Sequence, residues 1–137
     1  MFVIIVGGGK VGTYLVSALI QAGHRVTLIE NRVNVVQQVR LELPEVEIFT
    51  GNGSSPEMMK KAGIRDAQVL AAVTGDDETN LVIATLARFE FGVTRVIGRV
   101  NNPKNAWLFT EEMGVDVALN QADILTKLII EEMSLGD

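Results

Sequence analysis

Five apolar residues, Phe2 to Val6, run directly into Gly-Gly-Gly-Lys-Val-Gly, which sets Gly7, Gly9 and Gly12 at the spacing Gly-x-Gly-x-x-Gly. A short all-apolar run that ends in glycine fits a buried strand. The residues that follow carry Val11, Leu15, Ala18, Leu19 and Ala22 at helical intervals and fit a helix over Val11–Ala22. A strand that turns through glycines into a helix fits the opening unit of an open α/β sheet. In that unit Gly7 permits the tight turn, Gly9 lets the backbone approach a pyrophosphate, and Gly12 lets helix and strand pack closely. The helix start offers free N–H groups and a positive dipole end to a phosphate. The apolar N-terminus lacks a basic n-region and is cut off by glycine too early for a secretory signal.

The same alternation continues along the chain. Arg25–Glu30, Glu47–Thr50, Val69–Val73, Arg95–Val100 and Val115–Leu119 read as further strands. Val33–Leu41, Pro56–Ala62, Asp77–Glu90, Pro103–Met113 and Ala122–Met133 read as helices, with Gly63 and Pro103 at the positions that end and begin them. Strands apolar on both faces and separated by helices imply a parallel sheet covered on both sides, a doubly wound α/β fold of one domain. With 137 residues the chain can bury a single core. Its net charge of −5 lacks the positive field that a phosphate backbone requires, so nucleic acid is not an expected partner. The absence of cysteine excludes disulfides and thiolate metal sites.

Open α/β sheets bind ligands outside the carboxyl ends of their strands. Small and polar residues gather at those ends: Thr50 to Ser55, Thr74 to Asn80, Arg99 to Pro103 and Asn120 to Asp123. Glu30 ends the second strand 18 residues after Gly12, near the spacing of an acid that binds a ribose diol. Such a carboxylate disfavours a 2′-phosphate, although Arg32 offers a charge for either adenine or a phosphate. Asn52 fits either an adenine edge, with Gly53 allowing close approach, or a plain Asn-Gly turn. Thr74 and Gly75 fit the ribose and phosphate side. Asp76 and Asp77 read as helix caps rather than metal ligands. Arg99, a charge at the end of a buried strand, calls for a partner, either a phosphate or Asp76. Lys10 fits a pyrophosphate contact, an outward contact with a second subunit or a third phosphate, or plain solvation.

Groups for chemistry are scarce. The only histidine, His24, lies in the turn between the first helix and second strand, at the wrong end of the sheet, and Tyr14 is not followed by a Tyr-x-x-x-Lys lysine. The chain reads as able to bind a nucleotide and unable to react with it. The final helix carries Ile124, Leu125, Leu128, Ile129 and Ile130, a broad apolar arc that either covers the sheet edge or crosses to a second subunit, with Trp107, Leu108 and Phe109 as candidates for the same contact.

From about Phe2 to Leu119, and weakly into the last helix, the chain resembles the N-terminal nucleotide-binding domain of the TrkA/RCK family, regulators of potassium channels and transporters. The resemblance rests on GGGKVG, LIE, TGNGSSPEMMKKAGI, VLAAVTGDDETNLVIATLAR, VIGRVNNP and MGVDVAL, in that order. It implies a Rossmann-like doubly wound six-stranded parallel sheet with a C-terminal crossover helix, divided into a nucleotide-binding unit at residues 1–120 and a dimerisation helix at 121–137. It also implies a non-enzymatic regulator, cytoplasmic and peripheral to the membrane through its partner. Such a regulator binds NAD(H) or ATP/ADP, dimerises, assembles into a ring and gates a membrane-embedded potassium transporter or channel. Carried over, Gly7, Gly9, Val11 and Gly12 hold phosphates and Lys10 reaches one across a subunit boundary. Glu30 takes the ribose with Asn31 and Arg32 nearby, and Asn52, Gly53 and Ser54 border adenine. Thr74, Gly75 and Asp76 line the central pocket and Arg99 closes it. Many relatives carry a proline, often followed by an acid, at Asn120 and Gln121, so a cation or subunit contact by that acid is not implied here. The family's C-terminal ligand-binding domain has no counterpart in these residues, which leaves open an isolated N-terminal piece or a naturally separate subunit. The alternative reading is the NAD-binding domain of an oxidoreductase cut from a longer chain; a third is an interaction domain without a ligand.

Overall fold

A computed structural model describes residues 1–135. Six strands form one parallel sheet: β1 (Phe2–Val6), β2 (Arg25–Glu30), β3 (Glu47–Thr50), β4 (Val69–Ala72), β5 (Arg95–Val100) and β6 (Val117–Asn120), in the order β3-β2-β1-β4-β5-β6. The helices are α1 (Lys10–Gln21), α2 (Val33–Glu42), α3 (Pro56–Lys61), α4 (Asp77–Thr85) and α5 (Gln121–Leu135). The order reverses direction beside β1, and this is where a doubly wound sheet opens a crevice.

Side chains alternate across each strand, so the sheet separates two cores. Ile4, Val6, Ile29, Leu70 and Ala72 meet α3 and α4 on one face. Val3, Ile5, Val26, Leu28, Ala71 and Val73 meet α1 and α2 on the other. The apolar stripe of α1 centres on Gly12 and Val16, with Val11, Leu15 and Leu19 beside them, while Ala18 and Ala22 stay exposed. Cover on both faces holds for the central strands only. β3 and β6, at the edges, carry no fully buried residue.

The expected helix over Asp77–Glu90 changes pitch after Thr85 and ends in a wide π turn, Leu86–Glu90, closed by the Phe91 N–H on the Leu86 carbonyl at 3.2 Å. Gly114 packs onto Ala84 and Thr85 there, and the single Thr85 hydroxyl proton lies between the Leu81 and Met113 carbonyls, both within hydrogen-bond reach. The expected helix over Pro103–Met113 is instead two short 3₁₀ turns, Pro103–Leu108 and Glu111–Met113. The chain breaks between them so that Phe109 can lie against Gly98, where a Cβ would stand 3.0 Å from the ring. β6 then starts at Val117, because Val115 is drawn into the core and the Asp116 carboxylate accepts the Val96 N–H and pairs with Arg88. No described helix is long and apolar enough to cross a membrane.

Candidate functional site

A cleft of about 250 Å³ opens at the carboxyl ends of β1, β2 and β4. Nine of the expected residues line it: Gly7, Glu30, Asn31, Arg32, Asn52, Gly53, Thr74, Gly75 and Asp76, with Thr79 and Ile83 of α4 as further wall. His24 precedes β2 and so sits at the opposite, amino end of the strands.

The glycines of the first turn separate by role. Gly7 adopts φ +113°, and a Cβ there would stand 2.9 Å from the Thr74 N. A Cβ on Gly12 would stand 1.7 Å from the Gly7 carbonyl oxygen. Both are required by the fold. Gly9 has φ −71° and ψ −164°, open to any residue, and a Cβ there meets nothing nearer than Arg32 Nη2 at 3.7 Å. No contact within the fold requires its bareness. Gly9 also heads α1 with no side-chain cap, so the N–H groups of the first turn, Lys10, Val11 and Gly12, have no side-chain partner from the cap.

Glu30 is the charge centre of the cleft. Its side chain is 3% exposed and that of Arg32 is 56% exposed. Oε1 accepts the Gly8 N–H at 2.9 Å and Arg32 Nη2 at 2.8 Å; Oε2 accepts the Arg32 N–H at 2.7 Å and Arg32 Nε at 3.2 Å. Burial by itself pushes the carboxyl up, but the Arg32 guanidinium and the two backbone donors outweigh it and hold its pKa at about 2.

The opposite wall is built from the TGDDETN stretch. Asp76 caps α4, accepting the Thr79 N–H at 3.3 Å. Asp77 does not cap. It is buried and clamps the loop after β5, accepting the N–H groups of Asn101 at 2.6 Å and Asn102 at 2.9 Å and the side-chain amides of Asn101 and Asn105. Burial raises its pKa, and these donors more than offset that and leave it lowered. Asn80, missed in the sequence reading, is fully buried. Its Oδ1 accepts the Thr74 N–H and Oγ1, and its Nδ2 donates to the carbonyls of Thr74 and Arg99, which uses its whole bonding capacity. The signal was present: Asp77, Asn80, Ile83, Ala84 and Ala87 form one buried stripe of the helix, and a polar residue inside such a stripe implies a satisfied network.

Six expected residues lie outside the cleft lining. Gly9 and Lys10 line a neighbouring groove of about 820 Å³ between α1 and α2, with Gly8, Thr13 and Tyr14. Val11 and Gly12 lie in the first turn of α1. Ser54 donates its N–H and Oγ to Asn52 Oδ1 at 2.9 and 2.7 Å, so that oxygen is engaged in its own turn. Gly53 packs against Val6, where a Cβ would stand 2.3 Å from Cγ1. Arg99 is the penultimate residue of β5; its Nε is buried without a hydrogen-bond partner, and the structure brings it no ion pair with Asp76 among the described residues. Of the candidates for an apolar contact, Trp107 is 75% exposed while Phe109 is buried and Leu108 packs on the core, so those two do not belong to it.

This strand order, glycine turn and strand-end cleft define a Rossmann-type domain. The chain belongs to the TrkA-N domain family, which matches residues 3–121. It is 36% identical over 137 residues to the Trk system potassium uptake protein TrkA of Mycobacterium tuberculosis, across 100% of this chain and 61% of that protein. To the TrkA homolog of Methanothermobacter thermautotrophicus it is 38% identical over 133 residues, 94% of this chain and 60% of that one. The chain thus spans about three fifths of the length of these relatives. Among solved structures it matches the TrkA-N domain of inner membrane protein ybaL from Escherichia coli with a TM-score of 0.83 at 21% identity, covering 95% and 94% of the two chains. It matches GsuK bound to ADP with a TM-score of 0.80 at 19% identity (99% and 34%) and the GsuK channel bound to NAD with 0.76 at 18% (90% and 22%). At these identities the likeness is one of fold.

Proposed function

We propose that the cleft binds an adenine nucleotide, NAD(H) or ATP/ADP, and that the domain regulates a membrane-embedded potassium transporter or channel from the cytoplasmic side by changing shape on binding. The observation that carries this reading is the pairing of the ionised Glu30 in the cleft with Gly9 on the adjoining phosphate loop, whose missing side chain no contact of the fold requires. The potassium uptake proteins it resembles supply the transport context. The role is non-catalytic. The cleft's titratable side chains are Glu30, Arg32 and Asp76; the first is held as an anion by the second, and the third caps a helix.

Residues 1–120 form the nucleotide unit and 121–137 the dimerisation arm in this reading. Within the described part of the arm, Ile124, Leu125, Leu128, Ile129, Ile130, Met133 and Leu135 are 46% to 76% exposed. Such an apolar helix suits a second copy of the chain, in a homodimer from which a larger ring is built. Nucleotide binding is tested by titrating the protein with NADH, ADP and ATP by calorimetry and thermal shift, with Lys10→Ala alongside. Binding of at least one ligand is expected, and an ATP-specific loss in the variant places Lys10 at a terminal phosphate. No heat and no shift with any of the three ends the reading.

A further inference from the structure

The cleft contains an ion pair that the fold does not require. A carboxylate has about four acceptor positions. On Glu30 two are taken by the backbone N–H groups of Gly8 and Arg32, and two by the Arg32 guanidinium. The acid is therefore saturated before any ligand arrives. Arg32 Nη2 also lies 3.7 Å from the position of a Gly9 Cβ, so the guanidinium covers both the acid and the edge of the phosphate loop. A ribose diol brings two O–H donors. The two backbone donors on Glu30 belong to the turns after β1 and β2 and cannot leave without unravelling them. Only the guanidinium can, because the Arg32 side chain is more than half exposed and solvent is open to it.

We infer that Arg32 is a specificity-determining residue whose guanidinium occupies the ribose subsite and is exchanged, two donors for two, against the vicinal hydroxyls of a bound nucleotide. This rests on the nucleotide reading of the cleft. The exchange trades two bonds between opposite charges for two in which only the acceptor is charged, so the free 2′- and 3′-hydroxyls add little to affinity while Arg32 is present. Removing the guanidinium leaves Glu30 with two vacant acceptor positions and restores the full contribution of the diol.

The test compares Arg32→Met, which keeps the aliphatic stem, and Arg32→Ala with the unaltered protein. Each is titrated with ADP and NADH and with the 2′,3′-dideoxyadenosine analogue of each, and thermal unfolding confirms that both variants are folded. The diol ligands are expected to bind about fivefold tighter to both variants, while the dideoxy analogues change less than about twofold, as for loss of a half-exposed bidentate pair. A ratio of diol to dideoxy affinity that stays the same, or diol binding that weakens in both variants, overturns the proposal and leaves the nucleotide reading standing. Absence of binding in all three folded proteins removes the nucleotide reading, and this proposal with it.

Discussion

Gly9→Ala separates what the first turn does for the fold from what it does for a ligand. The new Cβ falls in extended backbone and touches only Arg32 Nη2 at ordinary contact distance. Alanine lowers the entropy of the unfolded chain, worth about 0.4–1 kcal/mol, but is a poorer N-cap than glycine by a similar amount. Net stability is therefore expected to stay within about 1 kcal/mol, or roughly 4 °C of Tm for a domain of this size. Gly12→Ala, three residues on, puts its Cβ 1.7 Å from the Gly7 carbonyl oxygen, which only a backbone shift relieves. It is expected to cost about 3 kcal/mol or more, a large part of the 5–15 kcal/mol typical of a domain. On the ligand side, if the nucleotide reading holds, the Gly9→Ala methyl crowds a phosphate approaching the start of α1. Losing one charge-assisted bond there costs about 1.5–3 kcal/mol, so Kd is expected to rise at least about tenfold. Urea unfolding followed by circular dichroism, and calorimetric titration with ADP and NADH, measure both quantities. A Gly9→Ala protein with unchanged Kd refutes the passage of a phosphate over this loop, and a Gly12→Ala protein of ordinary stability refutes the steric argument.

Glu30 also makes stability depend on pH. Its pKa is lowered from 4.5 to about 2 on folding, so between those values the unfolded state binds more protons. The backbone donors of Gly8 and Arg32 and the Arg32 guanidinium together contribute about 3 kcal/mol above pH 4.5, lost as pH falls toward 2; Asp77, also lowered, acts in the same direction. In denaturant titrations Glu30→Gln is expected to be less stable than the parent at pH 7, with the gap narrowing below pH 4.5 and closing only toward pH 2; a gap independent of pH counts against the buried ion pair. For the arm, Leu128→Lys puts a charge into the apolar arc of α5. Analytical ultracentrifugation is expected to show the parent as a dimer and the variant with a Kd at least about tenfold weaker, from the lost burial of one large side chain; a monomeric parent at high concentration dismisses the dimer.

The order of elements, the glycine turn, the acid ending β2 and the strand end that carries the cleft were all legible in the sequence. These rest on short-range rules: apolar periodicity, the freedom of glycine and the spacing within one βαβ unit. Only the tertiary structure showed that Asp77 is a clamp and not a cap, that Asn80 ties Thr74 to Arg99, and that Arg32 closes on Glu30. It also divided Pro103–Met113 in two for the sake of Phe109 on Gly98. Asp77 and Asn80 meet partners 19 to 28 residues away, and no local pattern records which polar groups will face each other once the sheet has closed. Arg32 is near in sequence, yet a charge two residues past an acid reads equally as a ligand contact or a neighbour's partner. The burial of Glu30 under the first turn is what brings the Arg32 guanidinium onto it.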